Sequence, residues 1–399
     1  MQAAMSSRLT VVLLALMLGI QPVSSDLYLP TLPILTQEFG ASMAQVHMTL
    51  SALLLAFGIS QLFWGPLSDM WGRRPVLIVG LIAYVIAGIG CVVAPSIDAL
   101  ILWRTLQGAA MGSVVVCARA IVRDLYTPDI GARVMSKALT GLGAIACMSA
   151  PLGAFLTQAY SWHAALGAVS VFGAICLSAI AWKYQESAPK TNGSIPPFKE
   201  LAMTWWGILK HPAFIAFAGL TLGSYGGLFV FLVTSSFVFI GVVGLSKLEY
   251  GLLMCSMSFV YMLGTFLCRW LLVRYGVARS VAMGGVLSLT GGILLNISAW
   301  MQWHSVIALV GPFYIFILGH GIHQPCGQSG SVGPFPQAAG AASALGGFLM
   351  MAVAFLMGLW LGHQSGGAVQ GMAWGIGFWS LVTSLTAWTL VQRIGLKHA

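Results

Sequence analysis

Asp26 is the only acidic side chain placed deep inside a long apolar stretch of this 399-residue sequence. It lies in residues 24–30, Ser-Ser-Asp-Leu-Tyr-Leu-Pro, with Tyr28 two positions later. A lone carboxylate in hydrocarbon is energetically expensive, and such groups mark proton relays and ligand sites. The alternative is a structural carboxylate that caps a broken helix or is held by the adjacent serines. We favour a functional role, in which Asp26 carries a proton and contributes to ligand binding.

Arg104 is the cation that occupies a comparable position, inside the fourth apolar stretch. Gln107 follows three residues later and therefore shares its helix face. A buried arginine requires an anion or carbonyl oxygens. At the helical rise per residue, Asp26 lies about 14 Å and Arg104 about 10 Å below the same membrane surface. This predicts that Arg104 is the partner of Asp26 in proton coupling; a structural ion pair between the two helices is the alternative.

Two histidines and a glutamine share one face of the tenth apolar stretch, His320, His323 and Gln324. Three interpretations stay open: a polar wall of a substrate cavity, a second titratable site, or a metal site. A metal is the weakest of these because no third ligand is indicated, so no metal is predicted. We prefer the cavity wall. Tyr225 and Phe229 of the seventh stretch would add aromatic side chains to it, although lipid contact or packing is the commoner role of such residues.

The elements that must position these side chains are membrane helices. The chain is 58% hydrophobic and only 7% charged, with a mean hydropathy of +0.91, which indicates an integral membrane protein. The net charge of +9 comes from Lys and Arg in short loops of one parity, a pattern of cytoplasmic loops rather than of nucleic-acid binding. Seven cysteines lie in apolar stretches without a Cys-x-x-Cys pattern, which argues against disulfides and structural zinc.

A membrane-spanning helix needs about 20 apolar residues, and twelve stretches meet that length. They cover residues 9–35, 43–66, 75–94, 97–119, 131–157, 161–182, 211–241, 247–273, 279–300, 303–328, 336–362 and 366–391. The longest polar stretch divides them into two sets of six. We therefore predict an N-terminal six-helix bundle over 1–182, a cytoplasmic linker over 183–210 and a C-terminal six-helix bundle over 211–399. Because the basic loops alternate with the others, both termini are predicted to be cytoplasmic.

A polar run at residues 65–77 holds Asp69, Arg73 and Arg74 between two apolar stretches. Its two glycines and two prolines predict a tight turn, which the arginines place on the cytoplasmic side. The run resembles the loop signature of the major facilitator superfamily, Gly-x-Leu-x-Asp-x-x-Gly-Arg-Arg, at every fixed position. In that family an acid at the end of the fourth helix pairs with the loop arginine. The resemblance therefore implies a conformational latch of Asp69, Arg73, Arg74 and Asp124.

Three further runs resemble the Bcr/CflA-type, or bicyclomycin-resistance-like, drug–proton antiporters of that superfamily. Residues 26–33 resemble their first-helix signature, residues 104–108 resemble the fourth-helix motif Arg-x-x-Gln-Gly, and residues 333–345 resemble their turn between helices 10 and 11. A fourth run resembles the antiporter motif ending in Gly-Pro-x-x-Gly-Gly, but imperfectly, because alanine precedes the proline. Its packing residues are Gly141, Ala150, Pro151 and Gly153.

The resemblance implies an all-α membrane protein with the major facilitator fold, twelve transmembrane helices in two six-helix bundles. It implies a proton-coupled antiporter that exports small amphiphilic drugs or toxic compounds by alternating access. Asp26, Tyr28, Arg104 and Gln107 would bind substrate together with the residues of the predicted cavity wall. Its partners would be a small-molecule substrate, protons and the lipid bilayer, and the chain would act as a monomer in a bacterial inner membrane.

No enzymatic activity and no cofactor are expected. The sequence has no Gly-x-x-x-x-Gly-Lys-Ser/Thr nucleotide-binding motif, so the proton gradient is the expected energy source. Two other functions stay open. The polar residues of the tenth stretch suit a dedicated exporter of an endogenous metabolite such as a siderophore. A membrane scaffold or sensor without transport is the third possibility, but it leaves the charges inside the membrane without a role.

Overall fold

The computed structural model describes residues 7–126, 128–187, 198–336, 338–363 and 367–395, which are almost entirely helical. The helices are α1 (Ser7–Ser25), α2 (Leu32–Glu38), α3 (Met43–Trp71), α4 (Arg73–Val92), α5 (Ile97–Leu125), α6 (Pro128–Ala159), α7 (Trp162–Lys183), α8 (Phe198–Lys210), α9 (Pro212–Ser236), α10 (Lys247–Trp300), α11 (Val306–Val332), α12 (Ala339–Gly362) and α13 (Ala368–Trp388). A 3₁₀ turn at Leu29–Thr31 joins α1 to α2, and π-helical turns at Phe237–Val242 and Val391–Gly395 extend α9 and α13.

Within the described ranges, eleven helical segments are long and apolar enough to cross a membrane, with α1 and α2 counted as one segment. The 54 residues of α10 would form a rod of about 80 Å, more than twice the thickness of the hydrocarbon layer. This segment is in fact two helices that meet at Gly276, whose φ of 72° and ψ of 178° suit a residue without a Cβ atom. Because α10 supplies two spans, the total is the predicted twelve.

The chain divides into two compact units, Met1–Pro196 and Pro197–Ala399. The first unit holds helices α1–α7, which provide six spans, and the second holds α8–α13, which provide the other six. The predicted plan of two six-helix bundles is therefore confirmed. The linker boundaries at 183 and 210 stay predictions, because residues 188–197 lie outside the described ranges. Residues 1–6 and 396–399 also lie outside them, and so do the termini.

Two elements of the structure differ in detail from their predictions. The first span is broken, since α1 ends at Ser25 and the 3₁₀ turn and α2 complete the crossing. Prolines at positions 22, 30 and 33 lack the N–H groups that a continuous helix needs there. The turn predicted over residues 65–77 is much shorter, because α3 continues through Pro66 to Trp71 and only Gly72 separates it from α4. Gly72 reverses the chain at a φ of 93°.

Candidate functional site

The break in the first span leaves one backbone carbonyl free to bind a side chain. In an unbroken helix the Ser24 carbonyl would accept from the N–H of Tyr28, but that N–H points to Ser25 O at 3.3 Å. The Ser24 carbonyl instead accepts a hydrogen bond of 2.7 Å from Nη2 of Arg104, on α5. The broken helix therefore supplies the carbonyl oxygen that a buried arginine requires.

Arg104 is fully buried, and its guanidinium contacts three neutral groups. Besides the Ser24 carbonyl, it contacts the Oε1 atom of Gln107, to which Nη1 donates at 2.9 Å. Its Cζ atom lies 4.2 Å from the centre of the Tyr28 ring, a cation–π contact. The structure thus brings together three predicted site residues, Tyr28, Arg104 and Gln107.

Hydrogen bonds fix Tyr28 and a second tyrosine, Tyr84, which contacts Ser24. The Tyr28 hydroxyl donates to Oγ1 of Thr49 (2.7 Å), because the Thr49 hydroxyl itself donates to a backbone carbonyl. In the same way, the Tyr84 hydroxyl donates to Oγ of Ser24 at 2.6 Å. Sequence reasoning missed Tyr84 and Thr49. Their signal was weak, since each is a single polar group in an otherwise apolar span.

Asp26 lies immediately after α1, two residues from the carbonyl that binds Arg104. It is partly exposed, and its Oδ1 atom accepts a hydrogen bond of 2.7 Å from the Ser25 hydroxyl. Both charged residues are in the described part of the chain, and no salt bridge within 4 Å joins them. Asp26 and Arg104 are therefore not in direct contact, and Arg104 binds the chain two residues before Asp26, at the Ser24 carbonyl. Their partnership in proton coupling stays a prediction.

A second cluster, of charged residues, joins α3, α4 and α5 at Arg73. This side chain is 2% exposed and contacts the Asp69 carboxylate at 2.5 Å. It also donates to both oxygens of Asp124, from Nε at 2.9 Å and from Nη2 at 3.5 Å, and to the Ser68 hydroxyl at 2.7 Å. Arg123 adds a looser contact to Asp69 at 3.5 Å. Asp69, Arg73 and Asp124 of the predicted latch thus form one contact group.

Glu186 completes this cluster, and sequence reasoning missed it. Its carboxylate accepts hydrogen bonds of 2.9 Å from the backbone N–H groups of Arg73 and Arg74, the first two residues of α4. The Arg74 side chain donates to the carbonyl of Ala181, on α7. A carboxylate at a helix N-terminus satisfies unpaired N–H groups and interacts favourably with the helix dipole. The only signal was the position of Glu186, three residues beyond the sixth span.

Tyr184 extends the cluster just outside the sixth span. Its hydroxyl contacts the Ser187 hydroxyl at 2.6 Å, and Ser187 donates to Oδ2 of Asp124 at 3.5 Å. Burial raises the pKa of Tyr184, so the phenol stays neutral and can donate at physiological pH. This chain of hydroxyl groups connects the segment after α7 to the acid at the end of α5.

In the second unit, both predicted histidines are buried and hydrogen-bonded. The Nδ1 atom of His320 lies 2.7 Å from the Ser224 hydroxyl on α9. His323 is fully buried, with Nε2 3.3 Å from the Val281 carbonyl and Nδ1 3.5 Å from the Ser288 hydroxyl. A carbonyl can only accept, so Nε2 carries a proton. The His323 ring therefore packs between α10 and α11, and its place in the wall of a substrate cavity stays a prediction.

The other predicted wall residues are also buried inside the second unit. Gln324 accepts a hydrogen bond from Gln328 at 3.1 Å, and its own Nε2 donor has no hydrogen-bond partner among the described residues. The side chains of Tyr225 and Phe229 are buried in α9, Phe229 completely. Pro325, next to Gln324, lies within α11, which continues to Val332. Of these residues, Gln324 alone offers an unused polar group.

Two glycines of the predicted packing motif bring α6 against the broken first span. A Cβ atom at Gly141 would lie 2.6 Å from Cβ of Ala15, and one at Gly153 would lie 2.7 Å from the backbone carbonyl carbon of Leu27. Leu27 follows Asp26 directly. Ala150 is buried and Pro151 lies within the unbroken α6. The small side chains of α6 thus set the position of the segment that carries Asp26.

Comparisons with known proteins agree with this architecture. The profile described as Major Facilitator Superfamily matches residues 14–359. Multidrug resistance protein D of Escherichia coli is 26% identical over 342 residues, 84% of each chain. The bicyclomycin resistance protein homolog of Haemophilus influenzae is 23% identical over 395 residues, 97% of each chain. The crystal structure of a D-xylose–proton symporter superposes with a TM-score of 0.73 and 15% identity, covering 96% of this chain and 97% of that one, which concerns the fold alone.

These similarities confirm the family that the resemblance at residues 26–33, 65–77, 104–108 and 333–345 indicated. The profile match covers most of the chain, and the two relatives match over 84% and 97% of it. The twelve spans in two units of six make this a multi-pass membrane protein. The chain belongs to the major facilitator superfamily.

Proposed function

We propose that this chain is a proton-coupled antiporter that exports small amphiphilic compounds, including drugs, across a bacterial inner membrane. The names of the two relatives, which refer to multidrug and bicyclomycin resistance, support export of toxic compounds. One observation carries the proton coupling: Arg104 binds the Ser24 carbonyl, two residues before Asp26. The conformation of the broken segment is thereby linked to a buried charge.

In this mechanism Asp26 exchanges protons and Arg104 responds to its charge. An ionised Asp26 attracts the neighbouring guanidinium, whereas a protonated one does not. The Arg104 bond to Ser24 passes that change in attraction to the backbone of the first span. A cationic or hydrogen-bonding substrate would compete with the proton for the same carboxylate. Tyr28 and Gln107 hold the guanidinium in place and would contribute to the substrate site with it.

The test is transport by the purified full-length protein in proteoliposomes with an imposed pH gradient, with bicyclomycin and lipophilic cations as probes. Asp26→Asn is expected to abolish uptake driven by the gradient, whereas Asp98→Asn, which changes an exposed acid at the start of α5, should transport as the unsubstituted protein does. Proton release on substrate addition to protein in detergent is the second measurement. If Asp26→Asn releases protons as the unsubstituted protein does, the carrier is another residue.

We also propose that the Arg73 cluster, defined by Asp69, Arg73, Asp124 and Glu186, is the conformational latch. It would hold the cytoplasmic ends of α3, α4, α5 and α7 together in one transport state and loosen in the other. The positive-inside pattern supports a cytoplasmic location for this cluster, for residues 183–210 and for both termini. Cysteine labelling of Lys199→Cys tests the orientation: a membrane-impermeant reagent should react only from the cytoplasmic side, and reaction only from outside would refute it.

Export of an endogenous metabolite such as a siderophore is the second candidate function. The Gln324 donor without a hydrogen-bond partner favours it, because a buried amide N–H suits a substrate rich in acceptor oxygens. Growth of a deletion strain under iron limitation separates the two functions from each other. A growth defect there without altered drug sensitivity supports the metabolite exporter, and the reverse result supports drug export.

A further inference from the structure

Helix α8 lies outside the spanning helices and has no part in the proposed transport mechanism. One side of it packs on the second unit through Ile208, Trp205 and Leu209. This side packs on the first two turns of two spans, at Phe214 and Ala218 of α9 and at Ala342 and Leu345 of α12. Because it packs on the ends of spans, α8 lies at the level where those spans leave the hydrocarbon layer.

The backbone also turns between α8 and the span that follows. His211 has extended backbone angles, φ −73° and ψ 126°, and Pro212 begins α9. A residue before proline disfavours the helical conformation, so the two helices cannot continue as one rod. The position of α8 against the ends of α9 and α12 is thus fixed at its end by this turn and along its length by its packing.

A second side of α8 carries a stripe of four residues that the described part of the chain leaves exposed. Lys199, Met203, Trp206 and Lys210 follow one another at spacings of four, three and four, which places them along one helix face. Met203 is 57% exposed and Trp206 is 59% exposed. The ammonium of Lys210 lies 4.6 Å from the centre of the Trp206 ring. Two large apolar side chains are therefore flanked by two cations.

The third side of α8 is polar and small. Glu200, Thr204 and Gly207 repeat at spacings of four and three, and all are exposed. The only acid of the helix is therefore on a different side from its stripe lysines. A helix with one side on protein, one polar side and one apolar-basic side matches the chemistry of a helix that lies in the headgroup layer of a membrane.

We propose that the stripe Lys199–Met203–Trp206–Lys210 is a binding surface for anionic phospholipid. Met203 and Trp206 enter the upper part of the acyl layer, where tryptophan is favoured at membrane interfaces. The lysine stems run along the same layer and their ammonium groups reach the phosphates. Two cations on one stripe, with the acid directed elsewhere, provide the charge complementarity that selects anionic over zwitterionic headgroups.

Spin labels at neighbouring positions test whether the stripe is immersed in the membrane. A nitroxide label is attached to Met203→Cys and, separately, to Thr204→Cys in the full-length protein. Both variants are placed in nanodiscs that contain equal amounts of phosphatidylcholine and phosphatidylglycerol. The unsubstituted protein, treated in the same way, gives the background from native cysteines. The label at 203 should be more accessible to oxygen than to a water-soluble nickel chelate, and the label at 204 should show the reverse. Equal aqueous accessibility of both labels would overturn the proposal.

The lysines are tested in the same label background. With Lys199→Gln and Lys210→Gln together, the ratio of immersed to aqueous label at 203 should fall by about fivefold for each lysine removed in the mixed lipid. In phosphatidylcholine alone it should not change, and Lys137→Gln, which removes an exposed lysine of α6, should have no effect in either lipid. An unchanged ratio in the mixed lipid would refute the selection of anionic headgroups. Spin–spin broadening at 203 would show a second protein copy on the stripe and would also refute the proposal.

Discussion

Glu186 Oε1 accepts a hydrogen bond of 2.9 Å from the backbone N–H of Arg73. The second carboxylate oxygen accepts one of the same length from the next residue, Arg74. An acid more than a hundred residues away along the chain thus acts as the N-terminal cap of α4. No side chain next to that helix does so, because the preceding residue is Gly72. The cap attaches the segment after α7 to the start of α4.

We expect Glu186→Ala to lower the free energy of unfolding by about 1–2 kcal/mol, because two N–H groups and the positive helix end lose their acceptor. Glu186→Gln should have a smaller effect, since it keeps one acceptor oxygen and loses the charge. Thermal unfolding of the purified protein in detergent measures both. Glu200→Ala, which removes an exposed acid of α8, is the control. Equal effects of the two alanine substitutions would contradict the capping role.

Gly72 is expected to resist substitution for two separable reasons. Its φ of 93° and ψ of 159° belong to a region that is essentially restricted to glycine, and a Cβ atom there would lie 2.6 Å from Oε2 of Glu186. Gly276 has nearly the same backbone angles, with nothing within 4 Å of its Cβ position. Gly72→Ala should therefore lower the unfolding temperature more than Gly276→Ala.

Displacement of Glu186 accounts for the expected difference between the two glycines. In a Glu186→Ala background, Gly72→Ala should add only the strain of its backbone, and the two substitutions together should cost less than the sum of the single ones. Strict additivity in unfolding measurements would show that the carboxylate is not displaced.

The two acids that contact Arg73 should differ in importance because their burial differs. The Asp124 side chain is 6% exposed and the Asp69 side chain is 58% exposed. Removing one partner of a buried pair leaves an uncompensated charge and costs about 3–5 kcal/mol, whereas an exposed pair contributes about 1 kcal/mol or less. Asp124→Asn should therefore destabilise the protein clearly more than Asp69→Asn.

If the Arg73 cluster is the latch, transport should depend on Asp69 even though its contribution to stability is small. Asp69→Asn and Arg73→Ala should each slow transport in proteoliposomes while substrate binding to protein in detergent is largely kept. Normal transport rates in both variants would remove the latch from the mechanism. Stability and transport then separate the structural part of the cluster from its conformational part.

The number of spans, their grouping and the Arg73–Asp124 pair could be predicted from the sequence, because span length and a signature with fixed spacing are local properties. The break of the first helix at Asp26 could not be predicted, although the prolines around it are visible in the sequence. A proline alone does not tell whether a membrane helix bends or ends. Pro66 and Pro325 lie inside continuous helices. Tertiary packing decides whether the helix continues. Tertiary packing also brings Glu186 to its partners on another helix, so that contact could not be predicted either.

Gly153 of α6 should be intolerant of even a single added methyl group. Its Cβ position would lie 2.7 Å from the carbonyl carbon of Leu27, and backbone atoms cannot turn away as a flexible side chain can. Gly153→Ala should therefore shift the segment that carries Asp26 and reduce gradient-driven transport. Gly143, on the same helix, has nothing within 4 Å of its Cβ position. Gly143→Ala should leave transport unchanged, and equal losses in the two variants would contradict this account.

Arg104→Lys distinguishes the charge of the buried arginine from its geometry. The guanidinium reaches the Ser24 carbonyl and Gln107 Oε1 at once and lies over the Tyr28 ring. An ammonium keeps the charge but has neither the planar shape nor the spread of donors to maintain these contacts together. The loss of one hydrogen bond from a charged group corresponds to about a tenfold effect or more.

We therefore expect gradient-driven transport by Arg104→Lys to fall by about tenfold or more, nearly as far as in Arg104→Gln. Arg279→Lys, which changes an exposed arginine of α10, is the matched control and should transport normally. Thermal unfolding of each variant shows whether the protein is still folded. Full transport by Arg104→Lys would mean that the positive charge alone is required, and that the hydrogen bond to the broken first span does not take part in coupling.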